Sequence, residues 1–117
     1  MIVLKHDEEK MGFEDKSISG YMLATDMGLV KVNHEFKEVK RFFLGESVKA
    51  IELVDKSIYV LGFCDNLIVW KEDTNQKMLS ISKEWIISIQ RLPDSKRFIV
   101  KTRHEGVKSL NLTDLND

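Results

Sequence analysis

The amino-acid sequence predicts an all-β fold in which about three tandem units each form a four-stranded antiparallel sheet. The first observation is a repeat: Asp15-Lys16-Ser17-Ile18 recurs as Asp55-Lys56-Ser57-Ile58, and a looser version begins at Asp94. The three aspartates are separated by 40 and 39 residues, a period typical of repeated β-sheet units. The second observation is that no window of the chain has the 3.6-residue apolar period of a helix.

Each unit is also marked by a residue that tolerates positive φ and by the extended segment that follows it. The residues predicted to occupy these tight turns are Gly28, Asn66 and Gly106. The segments that follow them end in large or apolar side chains, which are Val32, Trp70 and Leu110. Because these landmarks keep their spacing in all three copies, we interpret the chain as a repeat with small changes in loop length.

Alternation of apolar and polar residues, together with short apolar runs, predicts the strands of each unit. The first strands are predicted at residues 11–13, 48–53 and 87–92, and the second strands at 21–24, 58–64 and 98–102. The third strands are predicted at 29–32, 67–70 and 107–110. The fourth strands are predicted at 39–44 and 77–81, so the last unit lacks one. Segment 58–64 is apolar on both faces, and we expect it to be covered on both sides.

The composition is that of a globular, single-domain protein. The chain has 117 residues, of which 43% are hydrophobic and 32% are charged, a balance too apolar for a disordered segment. The formal net charge of −1 gives no overall field toward nucleic acid or an anionic membrane. Cys64 is the single cysteine, which excludes an internal disulfide and is typical of a reducing compartment. The apolar run at the amino terminus is too short for a signal sequence or a membrane span, and we predict a cytoplasmic protein without a membrane partner.

Two segments resemble the WD-repeat family of β-propellers, and the resemblance extends over nearly the whole chain. Leu67-Ile68-Val69-Trp70 is similar to the family's third strand, which ends in a Trp-Asp pair, although Lys71 stands here in place of the aspartate. Residues 89–96 are similar to the family's first strand and the turn that follows it. The resemblance implies a propeller-like array of about three four-stranded antiparallel blades.

In this interpretation the blades comprise about residues 8–46, 48–83 and 86–117. Residues 2–6 form an extra strand, which the resemblance to the family implies could close the last blade. Three blades are too few for a ring, and the end blades of such an arc would expose an apolar patch. We therefore expect a second copy of the chain or another protein to complete the propeller, and exchange of the 2–6 strand between two copies is the sharper form of this hypothesis.

Three groups of residues are candidates for binding a partner. Arg97, Lys101 and Arg103 alternate with apolar residues along one strand, so they are predicted to form a basic strip. Lys37, Lys40 and Arg41 lie beside Phe36, Phe42 and Phe43, a basic and aromatic mixture that can contact phosphates and stacked bases. Trp85, in the link between the second and third blades, is a candidate anchor for a protein partner.

No arrangement of residues predicts catalysis. His6, His34 and His104 lie in three different segments, and Cys64 ends an apolar strand, where a cysteine is more often a packing residue. The six glycines are scattered singly and form no phosphate-binding loop. The acidic residues after His6 alternate sides in an extended chain and do not predict a metal site. We expect no catalytic residues, no metal and no cofactor.

The predicted function is therefore a non-catalytic protein-protein interaction or scaffold module within a larger assembly. One alternative is a nucleic-acid-associated protein that uses the basic strips. Another is a pleckstrin-homology-like binding domain, a small barrel of similar length whose signature is a C-terminal amphipathic helix. The end of this chain, residues 106–114, instead alternates with period two, which favours a strand.

Overall fold

The computed structural model describes residues 2–6, 20–93 and 95–113, which fold into eleven β-strands in three antiparallel sheets. The first sheet contains β1 (Ile2–His6), β2 (Gly20–Thr25), β3 (Gly28–Asn33) and β4 (Glu38–Phe42). The middle sheet contains β5 (Val48–Asp55), β6 (Ile58–Phe63), β7 (Leu67–Lys71) and β8 (Gln76–Ser82). The third sheet contains β9 (Ile86–Arg91), β10 (Arg97–Thr102) and β11 (Gly106–Asn111). The prediction of an all-β fold is confirmed.

Within each sheet the strands follow one another in chain order, so each is an antiparallel meander joined by short turns. The predicted second, third and fourth strands all form. Those predicted at 48–53 and 87–92 also form as β5 and β9. The strand predicted at 11–13 lies outside the described residues. The three sheets are open, and this part of the chain does not close into a ring.

Strand β1 occupies a different place from the one predicted for it. It pairs with β2 in the first sheet, with Ile2 opposite Ala24 and His6 opposite Gly20. Strand β1 is therefore the fourth strand of the first sheet, and it does not close the last unit. The third sheet consequently has three strands in the described residues, whereas the other two have four.

The middle sheet lies between the other two and is packed on both faces. All six residues of β6 are buried, as its apolar sequence predicted. Tyr59, Leu61 and Phe63 contribute to a core shared with the first sheet. Their neighbours Ile58 and Val60 contribute to a second core shared with the third sheet. Alternation along one strand thus places successive side chains in two different cores.

Trp70 is the centre of the core between the first and middle sheets. Its side chain is fully buried, and its ring centroid lies 4.7 Å from that of Phe42 and 5.3 Å from that of Phe43. Both contacts are edge-to-face, a favoured arrangement of aromatic rings. The indole Nε1 donates a hydrogen bond to Oδ1 of Asn75 at 2.9 Å, which satisfies the one polar atom of the side chain. The end of β7 is therefore fixed against the first sheet.

The predicted turn residues differ in backbone conformation. Gly28 and Gly106 have φ of 132° and 80°, as a tight turn with positive φ requires. Asn66 does not have positive φ, because the turn before β7 closes through a hydrogen bond from the Phe63 N–H to the Asn66 carbonyl. Positive φ occurs instead at Lys56, within the recurring tetrapeptide, and at Asn75. The prediction was therefore wrong for Asn66 only.

Gly62 allows β9 of the third sheet to approach β6. A Cβ atom at position 62 would lie 2.4 Å from Cγ2 and 2.7 Å from Cβ of Ile86, which is itself fully buried. These separations are far shorter than a van der Waals contact between carbon atoms. The absence of a side chain at Gly62 is therefore a condition of the packing between the middle and third sheets.

We predict that Gly62→Ala lowers the free energy of unfolding by about 1–3 kcal/mol, because the added methyl group overpacks this contact. Urea denaturation monitored by circular dichroism measures the effect. The destabilisation of the double variant Gly62→Ala/Ile86→Ala should be smaller than the sum of the two single effects, since the second change removes Cγ2, the nearer of the two close atoms. Ser80→Ala on exposed β8 is the control. A loss under about 0.5 kcal/mol for Gly62→Ala contradicts the packing argument.

Candidate interaction surfaces

The outer face of the third sheet carries a basic strip formed by β10. Phe98, Val100 and Thr102 are buried against the middle sheet. The residues between them therefore point away from the core, and Arg97 and Lys101 are exposed there with half-buried Ile99 between them. Neither Arg97 nor Lys101 forms an ion pair within residues 20–93 and 95–113. The two cationic groups are thus available to a partner.

The rest of this outer face is mostly polar. In the register of the sheet, β11 places Val107, Ser109 and Asn111 opposite Lys101, Ile99 and Arg97. On the other side, β9 places Ser88 and Gln90 on the same face. Val107 is 64% exposed and is the main apolar contribution. Within residues 86–93 and 95–113 this face therefore does not show the apolar patch expected at this end of the repeat, because polar residues alternate with the core residues in all three strands.

Arg103 does not extend the strip but covers Trp85. Its guanidinium carbon lies 4.5 Å from the centroid of the Trp85 ring, and its backbone N–H donates to the Trp85 carbonyl at 2.9 Å. A cation over an aromatic face is attracted by the ring quadrupole. Trp85 is half-buried in this arrangement. The structure thus brings together two predicted site residues that lie 18 positions apart in the sequence.

A cleft of about 260 Å³ lies beside the Trp85–Arg103 pair. It is lined by Cys64, Asp65, Lys83, Glu84, Trp85, Thr102, His104 and Glu105. Cys64 and His104 both line this cleft, and no hydrogen bond joins their side chains in the described part of the chain.

Lys108 joins two carboxylates at the rim of this cleft. Its Nζ donates to Glu84 Oε2 at 2.5 Å and to Glu105 Oε1 at 2.9 Å. The hydrogen bond that Lys108 donates to Glu84, and secondly the one that it donates to Glu105, raise the pKa of Lys108 above its ordinary value. The hydrogen bond from Lys108 is the largest of the effects that hold the pKa of Glu105 below its ordinary value. One positive charge therefore offsets part of the negative charge of the two carboxylates at this rim.

The second predicted basic group is divided between two faces of the first sheet. Arg41 lies opposite Val30 and forms two hydrogen bonds to Glu38, at 2.8 and 3.1 Å, which hold the pKa of the Glu38 carboxyl below its usual range. Lys40 lies on the other face, with Nζ 5.1 Å from the ring centroid of Phe42. Lys37 is exposed in the turn before β4. The three cations do not line one groove.

The phenylalanines beside this basic group are also separated. Phe42 is buried and Phe43 is half-buried, and both pack on Trp70. Phe36 is exposed and stacks on Tyr21 with ring centroids 5.0 Å apart. One aromatic pair therefore remains at the surface, and the mixture of cations and rings that the sequence suggested is not assembled.

Two contacts between sheets were not predicted from the sequence. Arg91 Nε donates to the Ser95 carbonyl at 2.7 Å. Its Nη1 donates to the Leu53 carbonyl at 3.1 Å, and this second bond joins β9 to β5 of the middle sheet. Lys31 Nζ donates to Glu72 at 2.5 Å and joins the first sheet to the middle one. Both pairs are distant in the sequence, and only the stacking of the sheets brings them together.

The described residues show neither a metal-binding cluster nor a helix that could cross a membrane. Among them, no three His, Cys, Asp or Glu side chains lie close enough to hold a metal ion. The same residues contain no helix with the length and apolar character needed to cross a membrane. The helix expected of a pleckstrin-homology-like domain is likewise not found in them, since residues 106–111 form β11.

Comparison with known proteins supports the fold class and gives no function. No family model matches the sequence, and no curated protein matches it. Among solved structures, the chain is similar to the crystal structure of the computationally designed Ika4 protein, with a TM-score of 0.57 and 16% sequence identity. The match covers 85% of this chain and 62% of the designed chain, so this protein spans less than two thirds of its length. At this identity the likeness concerns the fold alone.

We predict that the Lys108 cluster stabilises the fold at neutral pH and ceases to do so in acid. Because the pKa of Glu105 is lowered from 4.5, its contribution is present above that value and is lost as the pH falls through the lowered pKa. Urea denaturation should therefore show Glu105→Gln to be less stable than the natural chain near pH 7 and equally stable near pH 2. Glu35→Gln, a change at another exposed carboxylate, is the control. A difference that persists unchanged in acid contradicts the prediction.

Proposed function

We propose that the protein is a non-catalytic protein-protein interaction module, and that its sheets are blades of a propeller-like array within a larger assembly. The observation that carries the proposal is the unequal packing of the sheets. Among the described residues, the middle sheet contributes to a core on each of its faces, whereas the first and third sheets contribute to one core each. In stacked repeats, only the inner units bury both faces, and the end units are left to meet solvent or a partner.

The blade interpretation draws its support from the repeat and from the order of the strands. Each sheet is a meander of consecutive strands, and the sheets follow one another along the chain with the period of the recurring tetrapeptide. Trp70 is the penultimate residue of β7 and is buried at the contact with the first sheet, at the position where the resemblance to WD repeats is strongest. A repeating unit of this kind offers rigid outer surfaces instead of a deep cavity.

The surface we assign to a protein partner is the outer face of the third sheet. Arg97 and Lys101 flank Ile99 on this face, and neither cation has an ion-pair partner in the described segments. A partner with carboxylates on either side of a small apolar group would complement this strip. Such charge complementarity mainly increases the rate of association and the specificity of binding.

The nucleic-acid alternative is less favoured by the geometry. The two basic groups lie on different sheets, Arg41 is already paired with Glu38, and Phe42 is buried where it cannot stack on a base. Binding of single-stranded nucleic acid requires a continuous basic groove with accessible rings. On the described surface the exposed aromatic pair Phe36–Tyr21 and the Trp85–Arg103 pair lie on different sheets, so no continuous basic groove joins them.

Affinity capture with matched charge reversals tests the proposal. The natural chain, Arg97→Glu/Lys101→Glu and the control Lys37→Glu/Lys40→Glu are immobilised, exposed to nuclease-treated extract of the source cell, and the retained proteins are quantified by mass spectrometry. Both double variants change the net charge by the same amount, on different sheets. We expect at least a tenfold loss of a specific partner for the third-sheet variant and little change for the control.

Two results would overturn this assignment. Equal retention by all three proteins would show that the third-sheet strip makes no contact with the partner. Binding by the natural chain that appears only in a parallel capture without nuclease, and that falls steeply with salt, would establish the nucleic-acid alternative instead.

A further inference from the structure

The free edge of the third sheet is formed by β11. The Leu112 N–H donates to the Lys96 carbonyl at 2.9 Å, so the main-chain groups of Leu112 face β10. Because these groups alternate in direction along a strand, those of Val107, Ser109 and Asn111 face away from β10. Among the described residues, these N–H and C=O groups form no backbone hydrogen bond to another strand. The β11 edge therefore has free main-chain donors and acceptors for pairing with a further strand.

This edge differs from the β4 edge of the first sheet and from the β8 edge of the middle sheet. The β3–β4 ladder has a register shift between Lys31 and Val32, and the β7–β8 ladder has two shifts. Such bulges twist an edge strand and oppose further pairing. The β10–β11 ladder runs through six consecutive residue pairs, from Arg97↔Asn111 to Thr102↔Gly106, without a shift. A regular, exposed edge without bulge or proline is a template for another strand.

The position of this edge in the repeat agrees with that property. In the first and middle sheets, the third strands β3 and β7 are mostly buried and each is followed by a fourth strand. In the third sheet, β11 occupies the third position, and five of its six residues are exposed. One more strand would give the third sheet the same four strands as the others.

A second copy of β11 fits this edge in antiparallel orientation. With a two-fold axis at Ser109, Val107 lies opposite Asn111 of the second copy, and Lys108 lies opposite its Leu110. No like charges therefore face each other directly, and pairing of Ser109 with its counterpart is compatible with hydrogen bonding. Lys108, the one charged residue of the strand, is already held by Glu84 and Glu105 within its own chain.

Electrostatic repulsion between the basic strips of the two copies does not oppose this arrangement. The β10 strands of the two copies would be separated by two intervening strands, which places them about 14 Å apart at the usual strand spacing. This separation exceeds the Debye length of about 8 Å at physiological ionic strength, so repulsion between Arg97 and Lys101 of the two copies is largely screened. The pairing surface is self-complementary, as an interface with two-fold symmetry requires.

We propose that β11 pairs antiparallel with β11 of a second copy, so that the third sheets of two chains form one continuous six-stranded sheet. This inference deepens the proposed interaction function by naming one partner and the edge that receives it. The interface is made by main-chain groups at the edge and leaves the outer face of each sheet accessible.

The test is the solution mass of the natural chain and of Ser109→Pro. Proline at position 109 removes an N–H that points away from β10, so it blocks pairing with a second copy and leaves the β10–β11 ladder intact. Light scattering and sedimentation are measured between about 1 and 200 μM. We expect the natural chain to approach twice its mass of 13.6 kDa and Ser109→Pro to weaken dimerisation at least tenfold. Ser109→Thr, which keeps the N–H, should behave as the natural chain.

A crosslinking experiment makes the test independent of how well the proline variant folds. In a Cys64→Ser background, Ser109→Cys should form a disulfide between two chains under mild oxidation, because the two-fold axis brings the two positions within disulfide distance. Ser88→Cys, on β9 at the far side of the same sheet, is the control and should not crosslink.

The inference is overturned if the natural chain stays monomeric over this range, if Ser109→Pro dimerises as tightly as the natural chain, or if Ser88→Cys crosslinks as well as Ser109→Cys. A monomeric natural chain that still retains a different protein in the capture experiment would refute only the dimer. Loss of the captured protein with an intact β11 dimer would refute only the proposed partner surface.

Discussion

The burial of β6 on both faces is the constraint on which the rest of the structure depends. A strand that is apolar on both sides has no face to present to water, so the sheet that contains it must be covered twice. The first sheet covers one face through the core around Trp70, and the third sheet covers the other through Ile86. The chain supplies these two covers from the segments immediately before and after the middle sheet, which explains why three sheets follow one another in sequence order.

The sheets are held together by apolar packing and by a few polar contacts, and these two kinds of contact have different roles. Apolar packing provides the area, while single polar contacts fix the alignment: Arg91 binds the Leu53 carbonyl on one side of the middle sheet, and Lys31 binds Glu72 on the other. Gly62 sets the distance, because β9 lies where a side chain at this position would be. Area, alignment and distance are therefore determined mainly by different residues.

The sequence predicted the fold better than the surface. Periodicity, short apolar runs and the recurring tetrapeptide located all eleven strands, because alternation directly encodes which face of a strand is buried. Three features could not be derived in this way. The pairing of β1 with β2 depends on which edge is free. The contact of Arg103 with Trp85 and the separation of Lys40 from Arg41 depend on turn geometry and on a bulge beside Val32. A local sequence pattern predicts which face of the strand a side chain lies on, but it does not predict which residue that side chain contacts.

The two tryptophans lie on different sides of the middle sheet, so their intrinsic fluorescence reports on two different environments. Trp70 is surrounded by rings in the core with the first sheet, whereas Trp85 is partly open to solvent beside β9 and lies under a guanidinium group. Their emission should therefore differ in wavelength and in access to a soluble quencher. If one tryptophan is replaced by phenylalanine, the fluorescence of the other reports on the separation of one outer sheet from the middle sheet. Comparison of the two variants would then give the order in which the outer sheets separate during unfolding.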